Sequence, residues 1–427
     1  MNREKKKILF LNPPNPFLIN PSSAPRLGVL YLATILKQQG HEVTVYHLHT
    51  LAELQEIVKI QVDYIGISAT TREYPDALQI LNYFKRENHH ALIIIGGPHA
   101  TALPEECLRN GFDFVVTGEA DEYIVQLIEQ PHECPKIIHA GFVENLNALS
   151  FPNRNLLGSP DAWQPFMGLR QSPLQTTTMI LSRGCPYRCS FCGPHFIYRR
   201  RSDENIAAEL STMADAGYQG LILLDDLPFL NEQHVRHFCE TIQPLNMHFR
   251  CNLRADLLTP TIAKLLAEAG CCRLQFGIES ASQLVLNRIQ KGDTTRNGEA
   301  IRICKEYGIE SKAMCMFGLP GDDLESAKQL VKWVAFYRPN SIQVSRFIPL
   351  PGSPFWQEEY HSQVTDYTSL SFFPNSFFSI NETDKHDQVS HTINWILSQC
   401  QEFTHIDSGA FAQEINENVK KENTNVT

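Results

Sequence analysis

The chain has 427 residues, 43% of them hydrophobic and 20% charged, with a formal net charge of −10. That length suits two to three domains with a sizeable core, and the acidic balance argues against a broad nucleic-acid or anionic-membrane surface. No stretch approaches the roughly 18–20 apolar residues that span a bilayer. The opening "MNREKKKILFLNPPNP" is basic, but its apolar run is too short for a signal peptide, so a cytoplasmic protein is expected. Of the 12 cysteines, all but one cluster of three are scattered along the chain and read as reduced, buried thiols.

In chain order, apolar runs alternate with amphipathic ones. "KILFLN", "EVTVYHL", "DYIGISAT", "ALIIIGG" and "FDFVVTGEA" are each followed by a helical pattern. Five βα units of this kind predict a doubly wound parallel sheet covered on both faces. The first turn, "LNPPNPFLINPSSAPRLG", lacks G-x-G-x-x-G, which argues against a nicotinamide cofactor. Ligands in such sheets sit at the carboxyl ends of the strands. Here those ends carry Ser68, Thr70, Gly96, Gly97, Gly118 and Glu119, several small enough to let a flat ligand approach the backbone.

This first domain is expected to span 1–135. Residues 136–175 lose periodicity and read as a linker rich in Pro, Asn, Ser and Gln. A second alternation fills 176–353, with strands "TTMILSRG", "GLILLDD", "HFRCNLRAD", "CRLQFGIES", "SKAMCMFGLP" and "SIQVSRFIPLPG". Six βα units without a glycine fingerprint predict a partial barrel, whose chemistry belongs on the loops after the strands. The rest, 354–427, is a small C-terminal segment. In it "HSQVTDYTSLSFFPNSFF" is irregular, "HTINWILSQCQEF" is a possible helix, and "NENVKKENTNVT" is a polar tail expected to be disordered.

Just after the first barrel strand comes "LSRGCPYRCSFCG", with Cys185, Cys189 and Cys192 in a C-x3-C-x2-C spacing. This is neither a four-ligand zinc pattern nor a ferredoxin spacing. Three ligands on one loop leave a coordination position open, as a catalytic metal centre requires.

The triplet, with Phe191 before its last cysteine, resembles the signature of the radical S-adenosylmethionine (radical SAM) superfamily. The resemblance implies a four-iron four-sulfur cluster whose fourth iron chelates S-adenosylmethionine and cleaves it reductively to a 5′-deoxyadenosyl radical. It also implies an electron donor such as flavodoxin or ferredoxin. Other strand ends follow the same order. Asp225 and Asp226 fall where the methionine amino group is met, Arg254 where its carboxylate is met, Glu279 and Ser280 near the ribose, and Gly318 in "FGLPG" beside the adenine. The first domain, through "GISATT", "GGPHAT" and "VVTGEADE", resembles the cobalamin-binding domain of one radical SAM class. The D-x-H-x-x-G motif that ligates cobalt from below is missing, and His99 has neither partner at the right spacing.

The expected activity is therefore cobalamin-dependent radical methylation of an unactivated carbon on a substrate, small molecule or peptide, that the sequence does not identify. One rival is a radical epimerase, cyclase or other rearranging enzyme, with Cys315, Cys271 or Cys272 as candidate hydrogen-atom donors. A second rival is a cluster-bearing sensor without turnover. The arginine run "YRRRS", Tyr198–Ser202, reads as a solvated patch or as a face for an anionic substrate or electron donor.

Overall fold

The computed structural model describes residues 4–14, 26–87, 89–157, 163–165, 173–193, 197–356 and 383–407. The first sheet is built from β1 (Lys7–Asn12), β2 (Glu42–His47), β3 (Tyr64–Ser68), β4 (Leu92–Gly96), β5 (Phe114–Thr117) and β6 (Ile137–His139). All its pairs are parallel, in the order β2-β1-β3-β4-β5-β6. Chain direction across the sheet reverses between β1 and β3, the switch point where a crevice opens at the strand ends.

Alternation within the central strands explains the two-sided cover. Ile8 and Phe10 face one core with the helix Leu27–Gln38 and the helix Ile124–Glu129. Leu9 and Leu11 face a second core with the helix Tyr74–Arg86 and the helix Pro104–Arg109. At the edge, β2 buries only Val45, and its polar alternation suits a half-covered strand. Five strands were expected, and there are six. The sixth falls in the segment read as linker: its three residues are too few to show a period, and only Ile138 is buried.

A second sheet contains β7 (Trp163–Pro165), β8 (Pro173–Met179), β11 (Gly220–Leu223), β12 (His248–Leu253), β13 (Cys271–Glu279), β14 (Glu310–Phe317), β15 (Ser341–Arg346) and β16 (His405–Ile406), while β9 (Ser182–Arg183) and β10 (Arg199–Arg200) form a small ladder of their own. The six predicted barrel strands are β8 and β11 to β15, each pairing in parallel with the next. At the edges, β7 is antiparallel to β8, and β16 runs parallel to β15.

The helix side of this sheet is the main apolar core, where Phe249, Cys251, Leu253, Leu274 and Phe276 pack against the surrounding helices. Cys315 and Cys271 belong to it too, 2% and 5% exposed. As a hydrogen-atom donor Cys315 would have to point inward, but its neighbours Met314 and Met316 hold the inward register, so it packs among helices like an ordinary small hydrophobe. Cys272 is half-buried, and its thiol donates to the Phe249 carbonyl at 3.1 Å.

The expected C-terminal helix runs over Thr383–Cys400 and buries Ile393, Ile396 and Cys400 in the barrel core. The irregular stretch "HSQVTDYTSLSFFPNSFF", the final polar tail and most of the first βα turn lie outside the described residues. Among the described residues, no helix is long and apolar enough to cross a membrane.

Candidate active site

The cysteine loop leaves β9 at Gly184, whose φ of +80° suits glycine. It is held from several sides. Phe191 is packed against Val285, Leu286, Ile289 and Leu319. The Ser190 N–H donates to the Ile289 carbonyl at 3.1 Å, and the Ser190 carbonyl accepts from the Phe355 N–H at 3.2 Å. Gly193 lies so close to the 350–356 segment that a Cβ there would stand 2.3 Å from the Gly352 carbonyl oxygen. None of the three thiols is in a disulfide: Cys189 is buried, Cys185 half-buried and Cys192 exposed. Burial pushes the Cys189 thiol up, and the Lys291 and Arg254 cations partly offset this.

Among the described residues, no three Cys, His, Asp or Glu side chains converge on one metal ion. A cluster makes a different demand, one thiolate per iron on separate irons, and three free thiols on one anchored loop fit it.

Of the predicted strand-end residues, Arg254 and Asp225 touch this loop directly, and Glu279 reaches it through Lys291. Arg254 stacks its guanidinium 3.7 Å above the ring of Tyr187, a loop residue, and donates to Asp256 at 2.7 and 3.0 Å. Glu279 has a left-handed φ of +62° and accepts from Lys291 Nζ at 2.5 Å. Ser280 is buried, and its Oγ accepts from the Ser282 N–H at 3.1 Å. The N–H groups of Gly318 and Leu319 both donate to Asp322 at 3.0 and 2.9 Å, which fixes the end of β14.

The two β11-end aspartates turn toward the same loop. Oδ1 of Asp225 accepts from the Leu181 N–H, the Ser182 N–H and the Ser182 hydroxyl at 2.7–2.9 Å. Burial pushes the Asp226 carboxyl up, and the nearby Gly184 N–H partly offsets this. Lys291 was not anticipated. It sits 5.4 Å from the Phe191 ring centre as well as on Glu279, and a lone lysine after a short helix carries no sequence signal.

At the crevice of the first sheet lies a cavity of about 270 Å³. Its lining includes Ser68, Gly96, Gly97, Gly118 and Glu119, all predicted, together with Phe10, Tyr31 and Val116; Ile180 and Arg183 close it from the barrel side. Two of the glycines have a structural reason of their own: a Cβ on Gly118 would stand 2.2 Å from the Gly141 oxygen, and one on Gly97 2.8 Å from Ser68 Oγ. Gly28 is different. It lines the cavity, and a Cβ there would meet nothing within 4 Å. A mostly apolar slot with an open glycine wall suits a broad, flat ligand.

Thr70 is not in the lining. Its N–H and hydroxyl are both 3.0 Å from Glu73, which in turn is gripped by Arg26. His99 is fully buried away from the cavity and stacks on Tyr74 at 3.7 Å.

The arginine run is neither a solvated patch nor a free face. Arg199 bonds Glu119, Arg200 bonds Asp203, and Arg201 bonds Glu209. Glu209, 1% exposed, also holds Arg154 from the segment before β7 at 2.9 Å.

The radical SAM superfamily profile matches residues 179–334, and the B12 binding domain profile matches residues 21–128. An uncharacterized methyltransferase of Pyrococcus horikoshii is 27% identical over 82% of this chain and 82% of its own. The anaerobic magnesium-protoporphyrin IX monomethyl ester cyclase of Cereibacter sphaeroides is 26% identical over 82% of this chain and 63% of its own. The hopanoid C-3 methylase of Methylococcus capsulatus is 24% identical over 80% and 70%. The fold resembles that of the radical S-adenosylmethionine methyltransferase TsrM from Kitasatospora setae, solved with cobalamin and its iron–sulfur cluster. The TM-score is 0.65 at 17% identity, covering 84% of this chain and 79% of that one. With both domains present in this order, the chain is a radical SAM protein carrying an N-terminal B12-binding domain.

Proposed function

We propose that the protein is a cobalamin-dependent radical SAM methyltransferase acting on an unactivated carbon. The observation that carries the proposal is the placement of the apolar cavity at the first sheet's crevice, closed on its barrel side by Arg183, two residues before the first cysteine of the triplet. Methyl transfer between a cobalt carrier and a carbon radical requires the two sites to share one space.

In this reading Cys185, Cys189 and Cys192 supply the three thiolates. Asp226, Arg254, Glu279, Ser280 and the Gly318 backbone bind S-adenosylmethionine, Arg254 by its charge toward a carboxylate. Asp225 holds the loop backbone that presents the cysteines. Ser68, Gly96, Gly97, Gly118, Glu119 and the open wall at Gly28 seat the corrin. When bound, the cluster supplies the electron that cleaves S-adenosylmethionine, and cobalamin supplies the methyl carrier. Radical SAM chemistry needs a one-electron reductant, and a flavodoxin or ferredoxin suits that role. The first domain runs through β6, to about residue 139, and the barrel strands begin near 173, with the helix Thr383–Cys400 and β16 packed against the barrel.

The buried setting of Cys271 and Cys315 disfavours them as hydrogen-atom donors to a substrate, which weakens the epimerase alternative. The cyclase among the relatives keeps a non-methylating radical reaction in view. The test is anaerobic turnover with a reductant, S-adenosylmethionine and hydroxocobalamin, followed by product mass. A gain of one methyl that depends on cobalamin is expected. An unchanged mass, or a loss of hydrogens without cobalamin dependence, overturns the methyltransferase reading in favour of a rearranging or cyclising one.

A further inference from the structure

Two arginines and two carboxylates occupy the seam between the cavity and the cysteine loop. Arg183 donates from Nη1 to Glu119 Oε2 at 3.1 Å and to Asp121 Oδ2 at 2.9 Å, and from Nη2 to Asp121 Oδ1 at 3.0 Å. Its guanidinium also lies 4.9 Å over the Tyr31 ring. Arg199, its partner in the β9–β10 ladder, donates to both oxygens of Glu119 at 2.7 and 2.9 Å. All four side chains are nearly enclosed, at 5–13% exposure. An enclosed ion set of this kind contributes little net stability but fixes geometry.

The backbone of the same arginine is tied elsewhere. Ser182, before it, is bonded by Asp225, and Gly184, after it, lies near the Asp226 carboxylate. Arg183 therefore carries a side chain fixed on the lip of the cavity and follows directly on Ser182, which the barrel strand end holds through Asp225.

We propose that Arg183 is a positioning residue that couples the two cofactor sites. S-adenosylmethionine settling at the β11 end steadies 181–184, holds Arg183 on Asp121 and Glu119, and so tightens the cavity on cobalamin. Linkage makes the effect reciprocal. The proposal rests on the cofactor assignment above.

The experiment measures the Kd for hydroxocobalamin by its visible spectrum in cluster-loaded protein, with and without saturating S-adenosylmethionine. The native protein should bind cobalamin about 5-fold or more tightly with S-adenosylmethionine, the lower end of ordinary coupling. Arg183→Met should bring that ratio to one while iron content stays native. Asp121→Asn should do the same from the other side of the seam. It touches no loop backbone, and it decides the matter if Arg183→Met fails to fold. A native ratio of one overturns the coupling, and so does a native-like ratio in the variants. Native protein that binds no cobalamin at all overturns the cofactor assignment itself, a result distinguishable from the other two.

Discussion

Asp225 is fully enclosed, and burial pushes its carboxyl up to about 7 against the pull of the Ser182 hydroxyl and the Leu181 and Ser182 N–H groups. A carboxyl tolerates that position because three donors converge on one of its oxygens. Removing it strands those donors, at about 1–3 kcal/mol for each group left unsatisfied. Asp225→Ala should therefore lower both stability and iron content on reconstitution, while Asp225→Asn, which keeps an acceptor oxygen, should retain most of the iron. Equal iron in Asp225→Ala and native protein would show that the loop does not depend on this carboxylate. The cysteines make a sharper case: Cys189→Ala should abolish reductive cleavage of S-adenosylmethionine, read as loss of 5′-deoxyadenosine. Arg254 lies on the loop's Tyr187, so Arg254→Ala should raise the Kd for S-adenosylmethionine roughly tenfold or more, as expected for a lost hydrogen bond to a charged group, while leaving iron content near native.

Two elements of the first domain carry their own tests. In the helix Leu27–Gln38, Gly28 is a helical glycine whose missing side chain opens onto the cavity. Replacing it with leucine should favour the helix by up to about 1 kcal/mol and fill the slot, so Gly28→Leu should fold at least as well as native protein yet fail to retain hydroxocobalamin. Retention at native affinity would place the corrin elsewhere. On the edge strand β2, burial and the nearby Arg26 charge lower the His47 pKa from 6.5 to about 4. Since the unfolded chain then binds the proton first, His47 contributes stability above pH 6.5 that is lost as pH falls toward 4. The full loss is roughly 3 kcal/mol at about 1.4 kcal/mol per pH unit. His47→Gln should flatten that part of an acid unfolding curve.

The elements also show what a sequence can reveal. Strands β1–β5 and the six barrel strands were legible because each is an apolar or alternating run bounded by a helix pattern. For the same reason the strand-end residues could be named. β6 was not legible, being three residues with one buried. The inward or outward sense of Cys315 was not legible either, since it depends on register with β13 and β15.

At the scale of the whole molecule, ion pairs between distant segments hold the parts together, and these were the least legible feature of all. Arg183 and Asp121 are 62 residues apart, and nothing in either neighbourhood marks the other. The run Arg199–Arg201 looked like a patch because sequence shows a charge run but not the carboxylates folded against it. One such pair closes the barrel from the C-terminal side. Asp407, following β16, accepts from Lys312 Nζ at 2.9 Å and lies 4.0 Å from Arg273, all three being at most 10% exposed. Burial pulls the Lys312 pKa down and Asp407 raises it again, so the cation depends on that carboxylate. Removing one member of a buried pair typically costs about 3–5 kcal/mol, because a charge is left without its partner. Asp407→Asn should therefore lower the denaturant midpoint of the barrel transition clearly. Pairing it with Lys312→Met should recover much of the loss, because the stranded cation is then gone. The cysteine loop lies at the opposite ends of the strands, so iron content and 5′-deoxyadenosine formation below the transition should stay close to native in both variants. A double variant no more stable than Asp407→Asn alone would show that the C-terminal segment is held by the apolar packing of its helix, through Ile393, Ile396 and Cys400, and not by the charge it brings to the barrel floor.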